Sequence, residues 1–426
     1  MKASVGRILM LVENPFPQDH RVRNEAVRLA EAGYQVSVIA KKYPNQKITD
    51  TFMGIHIYRV PWFEVFKKST ESRSRLVSKL YNIGTKLGYI TEYVYYTVAA
   101  FIYSIYISLT RGFDVLHLHN PPNTLFWVGF FHKFFGKKFV FDHHDLSPEL
   151  FLSRYNTQGG IIYKTLLLEE KLCLRTANVV IATNESYKAI DMKRGNKKPE
   201  DIFIVRNGPD LNKFKPVEPD EELKKMGKTI LIYIGVMGPQ DGVDYFLRSL
   251  YHLVNDYNRK DFYCVIVGYG DSLQDLKNLR VELKLEDYCR FTDEIPFADL
   301  IKYLSTADIG LDPNPSNPLN DHSTWIKVME YMALGKPIVA FDLKETHFSA
   351  QDAAIYVTPN DEKEYARAIR TLMDDPELRK KKGEYGKQRV YNELAWEKVS
   401  VKLLDAYRYL LPNKIPANLK VTTESN

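Results

Sequence analysis

"NDHSTWIKVMEYMALGKPIV", residues 320–339, starts in a polar turn and ends in an apolar run of strand character. Ile326, Met329, Met332 and Ala333 recur at helical spacing, and Ser323 or Thr324 is placed to cap the start. Gly335, followed by Lys336 and Pro337, stops it. The stretch therefore predicts a helix of about ten residues that feeds a strand. Lys327 falls in its first turn, three residues ahead of Glu330. A helix N-terminus already carries partial positive charge, so a lysine there costs roughly 0.3–1 kcal/mol unless an anion lies beside it. Which anion that is bears on everything else the chain does.

Working outward, "ADIGLD" (307–312) precedes the helix and "PIVAF" (337–341) follows it, a strand–loop–helix–strand unit. The same alternation runs through "TILIYIGVM" and "FYCVIVGYG". An earlier series contains "RILMLVE", "QVSVIA", "DVLHLH", "KFVFDHHD", "ANVVIAT" and "IFIVRNG". Such alternation means parallel sheets with helices on both faces. The expected fold class is α/β, with two Rossmann-like doubly wound domains facing across a cleft and ligands at the carboxyl ends of the strands. The turn signal Asn207-Gly208-Pro209 places the boundary. An N-terminal domain is expected over 1–206 and a C-terminal one over 207–394. A helix over 395–411 would cross back to the first, and 412–426 would form a frayed tail.

A chain of 426 residues, 45% hydrophobic and 26% charged, has material for two globular domains. Three widely spaced cysteines give neither a disulfide framework nor a zinc spacing, and the N-terminus reads as a first core strand, not a signal peptide. A cytoplasmic location is the expectation. Residues 1–150 hold 19 Lys+Arg against 12 Asp+Glu, and the remainder holds 40 against 41. The excess positive charge thus belongs to the first third, where it suits phosphorylated substrates or anionic lipid. No arginine-rich run or aromatic–basic repeat appears, so nucleic acid is not an expected partner.

Residues 62–112 break the rhythm with a basic half, "KKSTESRSRLVSK", and an aromatic half, "YITEYVYYTVAAFIYSIYISL". The second half is about long enough to span a bilayer, but Glu92 and the tyrosines Tyr93, Tyr95, Tyr96, Tyr103 and Tyr106 make it a poor lipid-core segment. A helix packed on the first sheet is expected. A helix lying in the membrane interface is the alternative, and the two can occupy opposite faces.

Two glycine loops follow strands of the second series. "IGVMGPQDG" (234–242) carries Gly235, Gly238 and Gly242, and "VGYGDS" (267–272) carries Gly268 and Gly270. Together with Lys327 and Glu330 they suit a nucleoside diphosphate: backbone N–H groups, the helix dipole and an ammonium for the phosphates, a carboxylate for the ribose hydroxyls.

"VRNGPDLNKF", "YIGVMGPQDGVDYFL", "VIVGYGDS" and "STWIKVMEYMALGKPIVA", in this order and spacing, resemble the motifs of retaining GT-B glycosyltransferases of family 4, glycosyl transferases group 1. The resemblance covers residues 6 to about 410. It implies a nucleotide sugar, UDP-sugar favoured over GDP-sugar, bound by the C-terminal domain, with no further cofactor. It also implies a glycan or polyprenyl-diphosphate-linked acceptor bound mainly by the N-terminal domain. Glu330 would hold the ribose, and the loops at Gly235, Gly238, Gly268 and Gly270 would approach the nucleotide. His322 stands where the family often has a carboxylate, and Val236 and Asp241 stand where it often has Arg and Lys. Lys327 would then supply the missing positive charge to the leaving diphosphate.

In the first domain, His119 of "HLHNPP" resembles the family histidine at the donor sugar. Asp19, Arg21 and Arg23 crowd the first helix start, and Asp142, His144, Asp145 and Glu149 follow the strand "KFVFDHHD"; these are the expected acceptor-side groups. The histidines and aspartates of 117–145 would also suit a metal, but the chain has no D-x-D and the family generally needs none, so no metal is expected. His119, Lys327 and His322 are the catalytic candidates, in surface polysaccharide or glycoconjugate synthesis at the cytoplasmic membrane face. The alternatives are a sugar-nucleotide epimerase of the same fold and a catalytically degenerate module that binds glycan or membrane.

Overall fold

The computed structural model describes residues 5–61, 75–155, 157, 159–414 and 416. Much of the basic half of the 62–112 tract and most of the 412–426 tail lie outside them. The chain divides into two compact units.

The first unit comprises 1–148, 159–205 and 400–426. Its strands are β1 (Arg7–Pro15), β2 (Gln35–Lys41), β3 (Thr49–Phe52), β4 (Ile55–Val60), β5 (Val115–His119), β6 (Lys138–His143), β7 (Val179–Ala182) and β8 (Ile202–Ile204). Among the described residues they form one sheet in the order β3-β4-β2-β1-β5-β6-β7-β8, parallel except for the β3–β4 pair. The β3–β4 hairpin is not expected from the α/β alternation; it turns at Met53 and Gly54, both at positive φ. Helices α1 (His20–Glu31), α2 (Arg75–Thr110), α3 (Phe126–Phe134), α5 (Ile161–Thr176) and α6 (Glu185–Gly195) follow their strands; α4 (Ser147–Tyr155) also follows β6 but from residue 149 groups with the second unit. Asp19 caps α1 by accepting from the Arg21 and Val22 N–H groups. Along α2, Tyr96, Ala100 and Ile107 are fully buried, so this helix does pack on the sheet.

The second unit comprises 149–158 and 206–399. Its strands are β9 (Thr229–Ile234), β10 (Phe262–Val267), β11 (Cys289–Phe291), β12 (Ile309–Asp312), β13 (Ile338–Phe341) and β14 (Ala354–Val357). They form an all-parallel sheet, β11-β10-β9-β12-β13-β14, among the described residues. Ile230, Ile232 and Ile234 of β9 face one apolar layer with Val328 and Met332, while Leu231 and Tyr233 face another with Phe246 and Tyr365. Both faces are covered, as a doubly wound sheet requires.

Two expected boundaries move. Residues 149–158 group with the second unit, although the sequence places them in 1–206. The helix expected over 395–411 is two pieces, Trp396–Val399 and Val401–Leu410. The first piece stays with the second unit because the Trp396 N–H donates to the Pro209 carbonyl and a Cβ on Gly208 would lie 2.1 Å from the Leu394 oxygen. The second belongs to the first unit, with the Tyr407 hydroxyl 2.9 Å from His117 Nδ1.

The β9–β12 ladder is short, pairing Ile309 with Leu231 and Gly310 with Ile232. Tyr331 extends it with a side chain. Its hydroxyl accepts from the Ile234 N–H (3.0 Å) and donates to the Leu311 carbonyl (3.1 Å), fully buried. Gly310 leaves room for the ring, since a Cβ there would lie 2.6 Å from it. Tyr331→Phe would strand both backbone groups, so urea unfolding should show a loss of about 1–3 kcal/mol with an unchanged m-value.

Candidate active site

In the second unit, β9 is flanked by β10 and β12, so the chain winds in opposite senses on its two sides. The loops leaving the carboxyl ends of these strands converge at such a point. The Lys327 helix runs from Ile326 to Ala333, shorter than expected. Its N-cap is Trp325, which makes no side-chain cap bond; the Ser323 hydroxyl donates back to the Leu319 carbonyl instead of capping. Among the described residues the first turn thus shows no side-chain cap bond at its N-cap.

Lys327 is buried, 5% exposed, and its ammonium lies 3.4 Å from Asp312 Oδ1 at the end of β12. The rings of Tyr233 and Trp325 lie 4.7 and 5.6 Å from it. The anion beside the lysine is thus a carboxylate of the fold itself, a partner that residue spacing did not reveal. Desolvation raises Asp312 and Asp241 above the ordinary carboxylate range, with Lys327 pulling both back down. Burial pushes the half-buried Glu330 carboxyl up to about 7, again against the pull of Lys327. One cation thus serves three carboxyls.

The two glycine loops run side by side. Gly235 N–H donates to Val267 O (3.0 Å), Met237 N–H to Tyr269 O (2.8 Å) and Ser272 N–H to Met237 O (2.9 Å). A Cβ on Gly268 would sit 1.9 Å from the Gly235 oxygen, and one on Gly270 2.4 Å from that of Met237. These two glycines are needed for loop-on-loop packing, a use beyond the expected approach to a nucleotide. Gly235 is open by comparison, its nearest neighbour 3.5 Å away, and Gly238 lies at negative φ. Val236 is exposed, whereas Asp241 is buried and accepts from the Gly238 N–H at 2.8 Å. His322 lies in the turn ahead of the Lys327 helix, half-buried.

In the first unit, Asp142 at the end of β6 is surrounded by histidines. His119 Nδ1 and His144 Nε2 each lie 2.7 Å from its Oδ2, and His117 Nε2 lies at 3.6 Å. Burial alone would raise Asp142, but the three imidazoles hold it well below the usual range. Desolvation and the neighbouring His117 push His119 down to about 3, so its ring is neutral at pH 7. A proton on Nδ1 faces the carboxylate and leaves an acceptor lone pair on Nε2. That Nε2 is buried and has no hydrogen-bond partner among the described residues.

Glu25 of α1 completes the cluster, 3.7 Å from His117 Nε2 and 4.0 Å from His144 Nε2. Burial and the Asp142 charge raise it well above the ordinary range, which makes it a neutral acid. Glu25, His119, Asp142 and His144 each offer one atom within 4.8 Å of the others, so they could hold a divalent ion. The direct 2.7 Å contacts also let the set close on itself as an ion-pair network.

Arg21 pairs with Asp19 at 3.1 Å and feels the charges of Asp145 and Asp142. Burial would raise Asp19, but Arg21 holds it well below its usual range. Arg23 donates to the Pro17 carbonyl at 3.3 Å within its own loop. Asp145 lies one residue past His144, its N–H donating to Asn120 Oδ1. Glu149, on α4, groups with the second unit and is buried.

Two parallel-sheet units with these motifs define a class. Residues 19–213 match the model for Glycosyltransferase Family 4, and residues 214–389 match Glycosyl transferases group 1. The chain belongs to this glycosyltransferase family. An uncharacterized glycosyltransferase of Methanocaldococcus jannaschii is 23% identical over 376 residues, covering 86% of this chain and 88% of that one. Sucrose-phosphate synthase from Thermosynechococcus elongatus superposes with a TM-score of 0.75 at 20% identity, over 96% and 99% of the two chains. Anabaena Alr3699/HepE in complex with UDP-glucose superposes with a TM-score of 0.66 at 15% identity, over 95% and 99%. Both share the GT-B fold of this glycosyltransferase.

Sequence reasoning missed Asp312 and Glu25. Glu25 had a signal: it sits on the stripe Val22, Ala26, Leu29, a carboxylate among the buried residues of α1. Gly268→Ala should lower stability by about 1–3 kcal/mol through the clash and its φ of +140°. Gly235→Ala, strained but open, should cost less. Thermal and urea unfolding of the two variants checks the order.

Proposed function

We propose that this glycosyltransferase moves a hexose or N-acetylhexosamine from a nucleoside-diphosphate sugar, UDP favoured over GDP, with retention of configuration and without a metal. The acceptor is a glycan or a polyprenyl-diphosphate-linked glycan, and the enzyme works at the cytoplasmic face of a membrane. The observation that carries the reading is the buried Lys327 ammonium, beside an uncapped helix start and two glycine loops. The UDP-glucose held by the Anabaena protein of the same fold supports the donor class.

Lys327 stabilises the negative charge that grows on the diphosphate as the sugar leaves. Its ammonium is already desolvated and held between Asp312 and two rings, so little reorganisation accompanies the reaction. The backbone N–H groups of the helix start, with those of the two glycine loops that do not already donate within the fold, complete the phosphate contacts. Glu330, as a carboxylate, accepts from the two ribose hydroxyls. His119, kept neutral, accepts a hydroxyl of the transferred sugar at Nε2, with Asp142 fixing its tautomer. Arg21, Asp145 and His144 face the acceptor, and His322 remains a candidate at the sugar end.

Lys327→Ala alone would leave Asp312 as an unpaired buried charge, costing about 3–5 kcal/mol of stability. The clean comparison is Lys327→Met with Asp312→Asn, titrated with UDP by calorimetry in EDTA. Wild type should bind, and the double variant should bind at least about tenfold more weakly. Equal affinities would overturn the lysine assignment. Inversion at the anomeric carbon of the product, read by nuclear magnetic resonance, would overturn retention. Restoration of an EDTA-lost activity by zinc or manganese would assign an ion to the Glu25–His119–Asp142–His144 set.

Glu330 gives a pH signature. Its raised value of about 7 means the carboxylate form is the minor one at pH 6 and the major one at pH 8. Ribose binding needs that form, so UDP affinity should rise about tenfold between those pH values. The phosphate of UDP titrates nearby as well; Glu330→Gln removes only the carboxylate's share, and its profile should be flatter than wild type's.

A further inference from the structure

Helix α2 is apolar on two faces. One is buried on the sheet, where the Tyr96 hydroxyl donates to the Val12 and Ile39 carbonyls. The other carries Ile90, Val94, Val98, Ile102, Tyr106 and Leu109, spaced three or four apart and all at least half exposed. Beside it, α3 and the turn after it present Trp127, Phe130, Phe134 and Phe135, between 56% and 84% exposed. Between the two helices lies an apolar groove of about 600 Å³, floored by Phe101, Phe131 and Val128. Ten large apolar side chains facing water on two neighbouring helices of one unit is more than a soluble surface normally carries.

Past Glu92, which lies on α2 itself, the charges of these two helices are mostly of one sign. Between residues 93 and 141 the sole acidic residue is Asp114, which lies within 3.4 Å of Arg7 and 2.7 Å of Lys414. Arg111, Lys133, Lys137 and Lys138 stand at the ends of α2 and α3; the Lys137 ammonium lies over the Phe113 ring and Lys133 donates to the Thr176 carbonyl. A second copy of the same face would bring these cations against their own kind. An anionic lipid surface complements them, and the aromatic residues suit the headgroup–acyl boundary.

We propose that the outer face of α2 together with α3 inserts into the interface of an anionic bilayer and holds the first unit on it. Ile90–Thr110 is long and apolar enough to cross a membrane. Crossing would strip Tyr96, Ala100 and Ile107 from the sheet, so the helix lies along the bilayer plane. The basic balance of residues 1–150 then acts as the electrostatic half of the attachment, and the groove receives lipid chains. This deepens the reading of a membrane-linked acceptor, but does not need the transfer reaction.

The test is flotation of the full chain with vesicles of phosphatidylcholine, alone or mixed with phosphatidylglycerol, beside UDP calorimetry on the same samples. Binding should require phosphatidylglycerol and weaken with salt. Lys133→Glu and Lys138→Glu should each reduce it about fivefold, and Trp127→Ser with Phe134→Ser at least about tenfold. All four side chains are exposed, so UDP affinity should stay at the wild-type value and report intact folding. Trp127 emission should be quenched by lipids brominated on their acyl chains, a signal absent from Trp127→Phe. Failure to float, flotation unaffected by these variants, or a lipid-free dimer that Phe134→Glu dissociates in the ultracentrifuge would overturn the proposal. Loss of UDP binding with flotation intact would count against the proposed transfer reaction and not against the membrane face.

Discussion

One buried ion pair sets the terms for the second unit. Lys327 and Asp312 meet at 3.4 Å, where the Ile326–Ala333 helix start reaches the end of β12. Neither charge could be buried alone, because desolvation of an isolated ion costs several kcal/mol. Pairing reduces that cost without cancelling it: Asp312 stays raised, and so do Asp241 and Glu330 around the same lysine. A site with one cation among three carboxyls that burial has raised is poised electrically. Small changes in what approaches it shift protons as well as contacts.

The first unit solves the same problem with the signs exchanged. There a single carboxylate, Asp142, sits among His117, His119 and His144, and the second acid, Glu25, is kept neutral by burial and by that charge. A further buried set, His143 with Asp191 at 2.7 Å and Glu170 at 3.4 Å, ties β6 to α5 and α6. Burial would lower His143, but its two carboxylates raise it to about 10. That imidazole is a fixed cation at neutral pH while His119, at the end of the neighbouring strand β5, is fixed neutral. The contrast follows from the partners: two carboxylates to one ring in one case, three rings to one carboxylate in the other.

The sheet strands were legible because parallel strands buried on both faces read as short apolar runs between turn signals. "TILIYIGVM" and "ADIGLD" are such runs, and β9 and β12 fall within them. The β3–β4 hairpin was not, since "TDTF" is exposed and polar. Helix ends were less legible than helix existence: Ser323 is a good cap by type, yet its hydroxyl is engaged with Leu319. At the site, residue type found His119, Asp142 and His144, which the neighbouring strands β5 and β6 bring together, and found Lys327 and Glu330, which share one turn. It could not find Asp312, because the contact joins positions fifteen apart through the return of the chain from strand to helix. Glycines were read as room for a ligand, whereas Gly268 and Gly270 are first of all room for another loop.

Val236, Asp241 and His322 depart from the family pattern, and a degenerate module would be one explanation for them. The local structure argues otherwise. Asp241 has been taken into the loop itself, closing on the Gly238 N–H and turning its charge toward Lys327. Buried polar atoms meanwhile persist without hydrogen-bond partners among the described residues: Nε2 of His119 and Oδ1 of Asp142. Each such atom costs about 1–3 kcal/mol relative to a paired one. A fold relieved of chemistry could replace these groups with apolar residues of similar volume and gain stability by doing so. That the chain retains them at the carboxyl ends of the first unit's strands fits acceptors whose missing partner is a hydroxyl of a substrate.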